Sequence, residues 1–134
     1  VAVSVRIDLN YRQINRILRS PTGLVARNML RRGRKVQRHA RRNVRSRSGH
    51  LARSIEVRLA MQSGAPGVEV YTDVHYALWV HNGTGIYGPR GRPFGPRRAK
   101  YMVFRGSDGT IVRTKSVRGQ TANPFLRDAL RSAL

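Results

Sequence analysis

Residues 20–45 read SPTGLVARNMLRRGRKVQRHARRNVR, and two stripes run through them. Val25, Met29, Gly33, Val36, Ala40 and Val44 recur at helical intervals. At 100° per residue they fall within about 100° of arc, a face built to dock. Arg27, Arg31, Arg34, Arg38, Arg41 and Arg45 form the second stripe. Its centre lies roughly 150° from the apolar one, nearly opposite. Ser20-Pro21 predicts the helix start, a capping hydroxyl followed by proline at the first helical position. A helix from there to about Arg45 is a rod of about 37 Å. Gly33 sits inside the apolar stripe, where its missing side chain lets another backbone come close.

A run of charge is ordinarily a solvated face, but such faces mix signs because opposite charges at i, i+4 support a helix. Arg27 to Arg47 holds ten basic residues and no acid. Like charges at that spacing destabilise the helix, so the pattern favours a counter-charge from outside. Duplex DNA carries one charge per 1.7 Å, so a rod of that length would lie beside roughly 22 of them. The planar fork of arginine suits phosphate. The stripe holds no Asn or Gln to read bases, which points to non-specific binding. A row of acidic residues on another protein would serve equally, and the residues leave both open.

The rest of the chain repeats the bias. Its 134 residues hold 27 Lys and Arg against 6 Asp and Glu, a net charge of +21. Residues 21–54 carry +11 and 75–134 carry +9, while 55–74 carry −2. The two basic blocks flank the best candidate for a buried sheet. The length suits one domain, and 40% hydrophobic content argues against wholesale disorder. There is no cysteine, which excludes disulfides and thiolate metal sites. No stretch resembles a signal peptide, and no apolar run approaches the roughly 20 residues that cross a bilayer.

Working outward, Val3, Val5, Ile7 and Leu9 alternate with Ser4, Arg6 and Asp8, which predicts a strand over 1–9. Asn10 can cap a short helix with Ile14, Ile17 and Leu18 on its apolar face. Ser46 to Gly49 breaks the long helix, and Ser48 can cap a single turn through Leu51. Residues 55–60 and 67–72 alternate as strands about a turn region at 62–66. Asp73 is expected to cap a helix from Val74 to Asn82, closed by Gly83, with Tyr76, Trp79 and Val80 packed on the sheet. Residues 83–99 read as an extended basic loop, 101–105 and 110–114 as a second hairpin, and 115–122 as irregular. Pro124 starts a terminal helix with Phe125, Leu126, Ala129, Leu130 and Ala133 on its apolar side. The expected fold is α+β in one domain over 1–134: a small antiparallel sheet of about four strands, packed against the long basic helix and the short C-terminal helix. Residues 1–20 add the N-terminal strand and short helix, the strand joining this sheet or a neighbouring subunit's.

Gly83, Gly85 and Gly88 spell the G-x-G-x-x-G of a dinucleotide loop. That loop needs a helix after it to hold the pyrophosphate. Pro89, Pro93 and Pro96 follow instead, and a helix does not run through them. Asp108, at the spacing of a ribose acid, falls in a tight turn. The loop reads as a basic surface segment, or as an arm ordering on a partner through Tyr87, Arg90, Arg92, Phe94, Arg97 and Arg98. His75 and His81 lie about 120° apart on a helix, and His39 and His50 have no acidic neighbour. No nucleophile elbow, P-loop or HExxH occurs. The expectation is a protein with no catalytic residue, no metal site and no cofactor, and so not an enzyme.

Three segments carry a resemblance. Tyr76-Ala-Leu-Trp-Val-His-Asn-Gly-Thr84 looks like the Tyr-Ala-x-x-Val-x-x-Gly-Thr segment of tailed-phage neck proteins, the gene-product-ten-like or tail-completion family of long-tailed phages. Asn123-Pro-Phe-Leu-Arg-Asp-Ala-Leu130 resembles the C-terminal Pro-Phe-Leu-x-x-Ala-Leu helix of that family, and Ser48-Gly-His-Leu-Ala-Arg-Ser-Ile55 its Gly-x-Leu-x-x-Ser-Ile lead into the first hairpin. The order matches, from the long helix onward. Where the family often has an acid before Gly-Thr, this chain has His81-Asn82. The resemblance implies a non-enzymatic virion component at the head–tail junction, made in the host cytoplasm and assembled as a homo-oligomeric ring, a hexamer favoured. It implies head-completion or connector proteins and tail-terminator or tail-tube proteins as neighbours, with packaged duplex DNA as a further non-specific contact and no membrane. It marks Tyr76, Trp79, Gly83, Thr84, Pro124, Phe125 and Leu126 as fold-defining. The partner-facing candidates are Arg27, Arg31, Arg34, Arg38, Arg41 and Arg45, with Arg90, Arg92, Arg97 and Arg98 of the loop. The alternative is a free-standing basic nucleic-acid-binding protein, nucleoid- or ribosome-associated. A toxin-like or nuclease module would need an acidic or histidine centre that is not visible.

Overall fold

The computed structural model describes Ser4 and residues 6–134. The fold is α+β. Helix α1 (Tyr11–Arg19) is capped by the Asn10 side chain, which accepts from the Gln13 amide at 3.1 Å. The long helix α2 is Leu24–Asn43, with Gly23 as its cap. It starts three residues later than Ser20-Pro21 predicts. Ser20 instead closes the α1–α2 turn: its carbonyl accepts from Gly23 N–H at 3.1 Å and its hydroxyl from Thr22 N–H at 3.3 Å. The helix ends at Asn43, so its 20 residues span about 30 Å rather than 37, and Arg45 lies beyond it. Of the expected N-terminal strand, residues 1–3 and 5 lie outside the described residues. Ser4 and residues 6–9 enter no ladder.

A single turn, α3 (His50–Arg53), leads into β1 (Glu56–Gln62) and β2 (Ala65–Tyr71), paired antiparallel from Glu56↔Tyr71 to Gln62↔Ala65. The turn between them is only Ser63-Gly64, both with positive φ, 51° and 75°. That primed geometry matches strand twist, so the strands run further toward the turn than 62–66 suggested. Helix α2 packs against this hairpin, against α1 and against the C-terminal helix α5 (Phe125–Ala133). Gly33 is the docking point. A Cβ there would stand 2.6 Å from Val68 Cγ2 and 3.0 Å from Val57 Cγ1, so valine side chains of both strands fill the space.

Val36 and Ala40 of α2, Val44 just past its end, Leu51, Ile55, Ala77, Phe125 and Ala129 form the buried core. Tyr76, Val80 and Leu126 pack at its rim. Helix α4 is Ala77–Asn82, shorter than expected. Asp73 does not cap it. The Thr72 hydroxyl accepts the Val74 amide at 3.3 Å and bonds the Ser54 hydroxyl at 2.7 Å, holding residues 72–74 outside the helix. Trp79 is 56% exposed, so it does not seal the sheet as expected.

The four strands divide into two hairpins. The second, β3 (Met102–Arg105) with β4 (Ile111–Thr114), pairs only with itself. The separation comes from the segment between. Thr84 and Ile86 donate to the Gln120 and Arg118 carbonyls at 2.9 and 2.7 Å, and Phe94 and Val117 exchange two bonds at 3.1 and 2.8 Å. The loop at 83–99 and the stretch at 115–122 therefore hold each other. Gly85 and Gly119 permit the crossing: a side chain on Gly85 would run into the Arg118 carbonyl, and one on Gly119 into the Thr84 carbonyl. The G-x-G-x-x-G spelling records backbone packed on backbone.

Candidate functional site

The basic face of α2 is built by the same periodicity that buries its other side. Arg27, Arg31, Arg34, Arg38 and Arg41 are exposed on the helix, and Arg45 is exposed just past it. Arg32, Lys35 and Arg42 widen the face and are exposed too. A shallow groove on it is lined by Asn28, Arg31, Arg32, Lys35 and Arg38.

What separates these cations is whether the fold already uses them. Arg41 Nη2 and Gln37 Nε2 both donate to the Ile55 carbonyl, at 2.8 and 2.7 Å, pinning the lead into β1. Arg45 reaches the Thr121 hydroxyl at 3.4 Å, and Lys35 donates to the Ala133 carbonyl at the end of α5 at 3.1 Å. Cations suit that helix end, where carbonyls lack partners. The side chains of Arg27, Arg31, Arg34 and Arg38 make no hydrogen bond or ion pair among the described residues. The ion pairs there are Arg6–Asp8, Arg58–Glu69 and Arg127–Asp128, none of them on α2. The six-residue stripe thus resolves into four uncommitted arginines and two that also serve the fold.

Arg90, Arg92, Arg97 and Arg98 are exposed along the 83–99 segment, with Tyr87 exposed and Phe94 held in its bridge to Val117. A further group escaped the sequence reading. Arg113, Lys100 and Lys115 surround the Tyr101 ring at 4.1, 5.7 and 5.9 Å. Cations over a ring face are attracted by its quadrupole, and the combination offers both stacking and charge to a nucleic acid. Its signal was the Lys100-Tyr101 pair at the foot of a hairpin whose return strand carries Arg113, with Lys115 just past its end. At that hairpin's turn the Asp108 carboxyl is held below its usual range, by the Thr110 hydroxyl at 2.7 Å first and the Thr110 amide at 3.1 Å second.

Three of the four histidines, His39 apart, are placed by aromatic contacts. His75 stands edge-on to Tyr76 and Trp79, His81 to Phe125, and His50 Nδ1 lies 3.3 Å from the Tyr76 hydroxyl. Among the described residues no three His, Asp or Glu side chains come together as metal ligands. No helix among them is long and apolar enough to cross a membrane.

The fold-defining candidates converge, Trp79 apart. Phe125 is fully buried, Pro124 precedes α5, and Leu126 flanks the core. Gly83 is buried at the end of α4, and the Thr84 hydroxyl accepts the Gln120 amide at 2.9 Å. Asn123, unmarked in sequence, is a buried polar link: its Nδ2 donates to the Asn43 carbonyl in the last turn of α2 at 3.1 Å, and its amide to the Val80 carbonyl at 2.9 Å. The chain matches no protein-family model, no curated protein and no solved structure.

Proposed function

We propose that the protein is a structural component of the head–tail junction of a tailed phage, a neck or tail-completion subunit that assembles as a ring. The observation that carries this reading is where the three family-like segments lie. Leu51 and Ile55 come from the first, Ala77, Tyr76 and Val80 from the second, Phe125, Leu126 and Ala129 from the third, and all meet in or against one core. Three short matches scattered over the surface would carry little. Three that together build the interior act as one fold signature. In the ring, the uncommitted arginines of α2 face the DNA channel or acidic surfaces of adjacent neck proteins. Particles assembled without this protein should yield filled heads and separate tails by electron microscopy. Intact, infectious joints in its absence would overturn the reading.

The basic face also favours a second reading, a free-standing nucleic-acid-binding protein. That protein would bind duplex DNA alone, tightly, with affinity falling steeply as salt rises.

A further inference from the structure

We propose that residues 6–9 of one copy add as a strand to the outer edge of β1 in a second copy. This rests on the ring-forming reading and names the contact that builds the ring.

The donor has the chemistry of a strand, and its described residues, with Ser4 before them, enter no ladder. By sequence, Val3, Val5, Ile7 and Leu9 alternate with Ser4, Arg6 and Asp8. Ile7 is 78% exposed and Leu9 55%. The Arg6 and Asp8 side chains meet at 3.3 Å on one side, as i and i+2 do in an extended chain. Ile7 and Leu9 left in water on one side of an extended stretch are the half of a sheet interface that lacks its partner.

The acceptor is singled out by elimination. β3 and β4 carry Arg105 and Arg113 and no acid, so neither offers Arg6 a partner. β2 has seven residues, Glu69 among them, but carries Pro66. The two-residue turn makes Gln62–Ala65 the closing hydrogen-bonded pair, so alternation puts the missing Pro66 N–H on the outer side of β2, which blunts that edge. β1 also has seven residues, about 23 Å of strand, and no proline. Among the described residues its backbone bonds only to β2, so its outer groups are open. A two-stranded sheet is marginal by itself and gains from a third strand.

Charge then fixes register and direction. On the outer face of the hairpin, Arg58 bonds Glu69 at 2.8 Å, and the Tyr71 hydroxyl donates to Glu56 at 3.1 Å. A parallel donor with Arg6 opposite Glu56 and Asp8 opposite Arg58 makes two opposite-charge pairs and extends both networks. It also sets Ile7 beside Val57 and Leu9 beside Leu59, on the face toward α2. An antiparallel donor makes at most one such pair, or opposes like charges. The donor is another copy because a chain's own segment is tethered through α1, which packs on α2 and β2, the far side of the hairpin from that edge. Passing the strand from each copy to the next is a head-to-tail contact of the kind that closes rings.

The chain has no cysteine, so an engineered pair reports cleanly. Arg6→Cys/Glu56→Cys, oxidised at low protein concentration, should give a ladder of disulfide-linked species on a non-reducing gel, and neither single variant should. Light scattering of the wild type should give a multiple of 15.1 kDa. Ile7→Pro, with unchanged circular dichroism because Ile7 is exposed, should reduce that mass to the monomer. An oligomer that neither cross-links through the pair nor responds to Ile7→Pro overturns strand addition and leaves the ring standing. Cross-links confined within one chain overturn the exchange between copies. A wild type that stays monomeric at high concentration removes both the ring and the proposal.

Discussion

Gly33 is the residue on which the packing of α2 turns. Elsewhere in an exposed helix, replacing glycine by alanine gains about 1 kcal/mol from backbone entropy. Here the new methyl would enter the space of Val68 and Val57, branched side chains on a paired hairpin that have little room to give. Overpacking of that kind costs typically about 1–3 kcal/mol. Gly33→Ala is therefore expected to be destabilising on balance, by about 1 kcal/mol, and Gly33→Leu by more, measured by urea unfolding. A stabilised Gly33→Ala would mean that the hairpin does not sit on this helix. Asp108 makes a prediction of the opposite kind, local and dependent on pH. Hydrogen bonds from Thr110 lower its carboxyl. Their contribution is present above the ordinary carboxylate range and lost as pH falls through the lowered value. The Thr110 amide signal in NMR should shift with that titration, and Asp108→Asn should flatten the acid-side change without altering the core.

At the scale of elements, α2 is a helix under self-repulsion. Glu at position 31 would face Lys35, and Glu at 38 would face Arg42, both in the favourable i, i+4 order. Arg31→Glu/Arg38→Glu should accordingly stabilise the free protein by about 1 kcal/mol while weakening any hold on duplex DNA and flattening its salt dependence. Thermal melts and a DNA-binding salt series check both halves, and a double variant that is destabilised would contradict the reading of this face as uncommitted. The two stripes of α2 were legible because burial and exposure both follow the helical period. The ends were not: Ser20-Pro21 has the chemistry of a cap, but Thr22-Gly23 let the chain turn first, and Gly23 begins the helix through its backbone alone. Asp73 failed likewise, because Thr72 could bind the same stretch of backbone. The pairing of 84–94 with 117–120 is made by main-chain groups, the Thr84 hydroxyl apart, and so left little side-chain pattern. Its one trace was the cluster of glycines, whose spelling belongs also to a nucleotide loop. Of the basic face, the sequence shows which arginines point outward. It does not show that Arg41 and Arg45 bond across to Ile55 and Thr121, since those partners are distant in the chain.

The whole molecule is a one-signed rod laid across a small core, with open strand edges and with Ser4 and residues 6–9 outside any ladder. Such a molecule would gain both charge balance and sheet completion from neighbours, which the ring proposed above would supply. The most direct test is a cryo-electron microscopy map of the intact particle, read for the direction in which Arg27, Arg31, Arg34 and Arg38 point. This chain is expected in a ring between head and tail, those four guanidinium groups within a few ångströms of phosphate or carboxylate density. Finding the chain elsewhere, or the four groups turned into bulk solvent in the assembled ring, would contradict it.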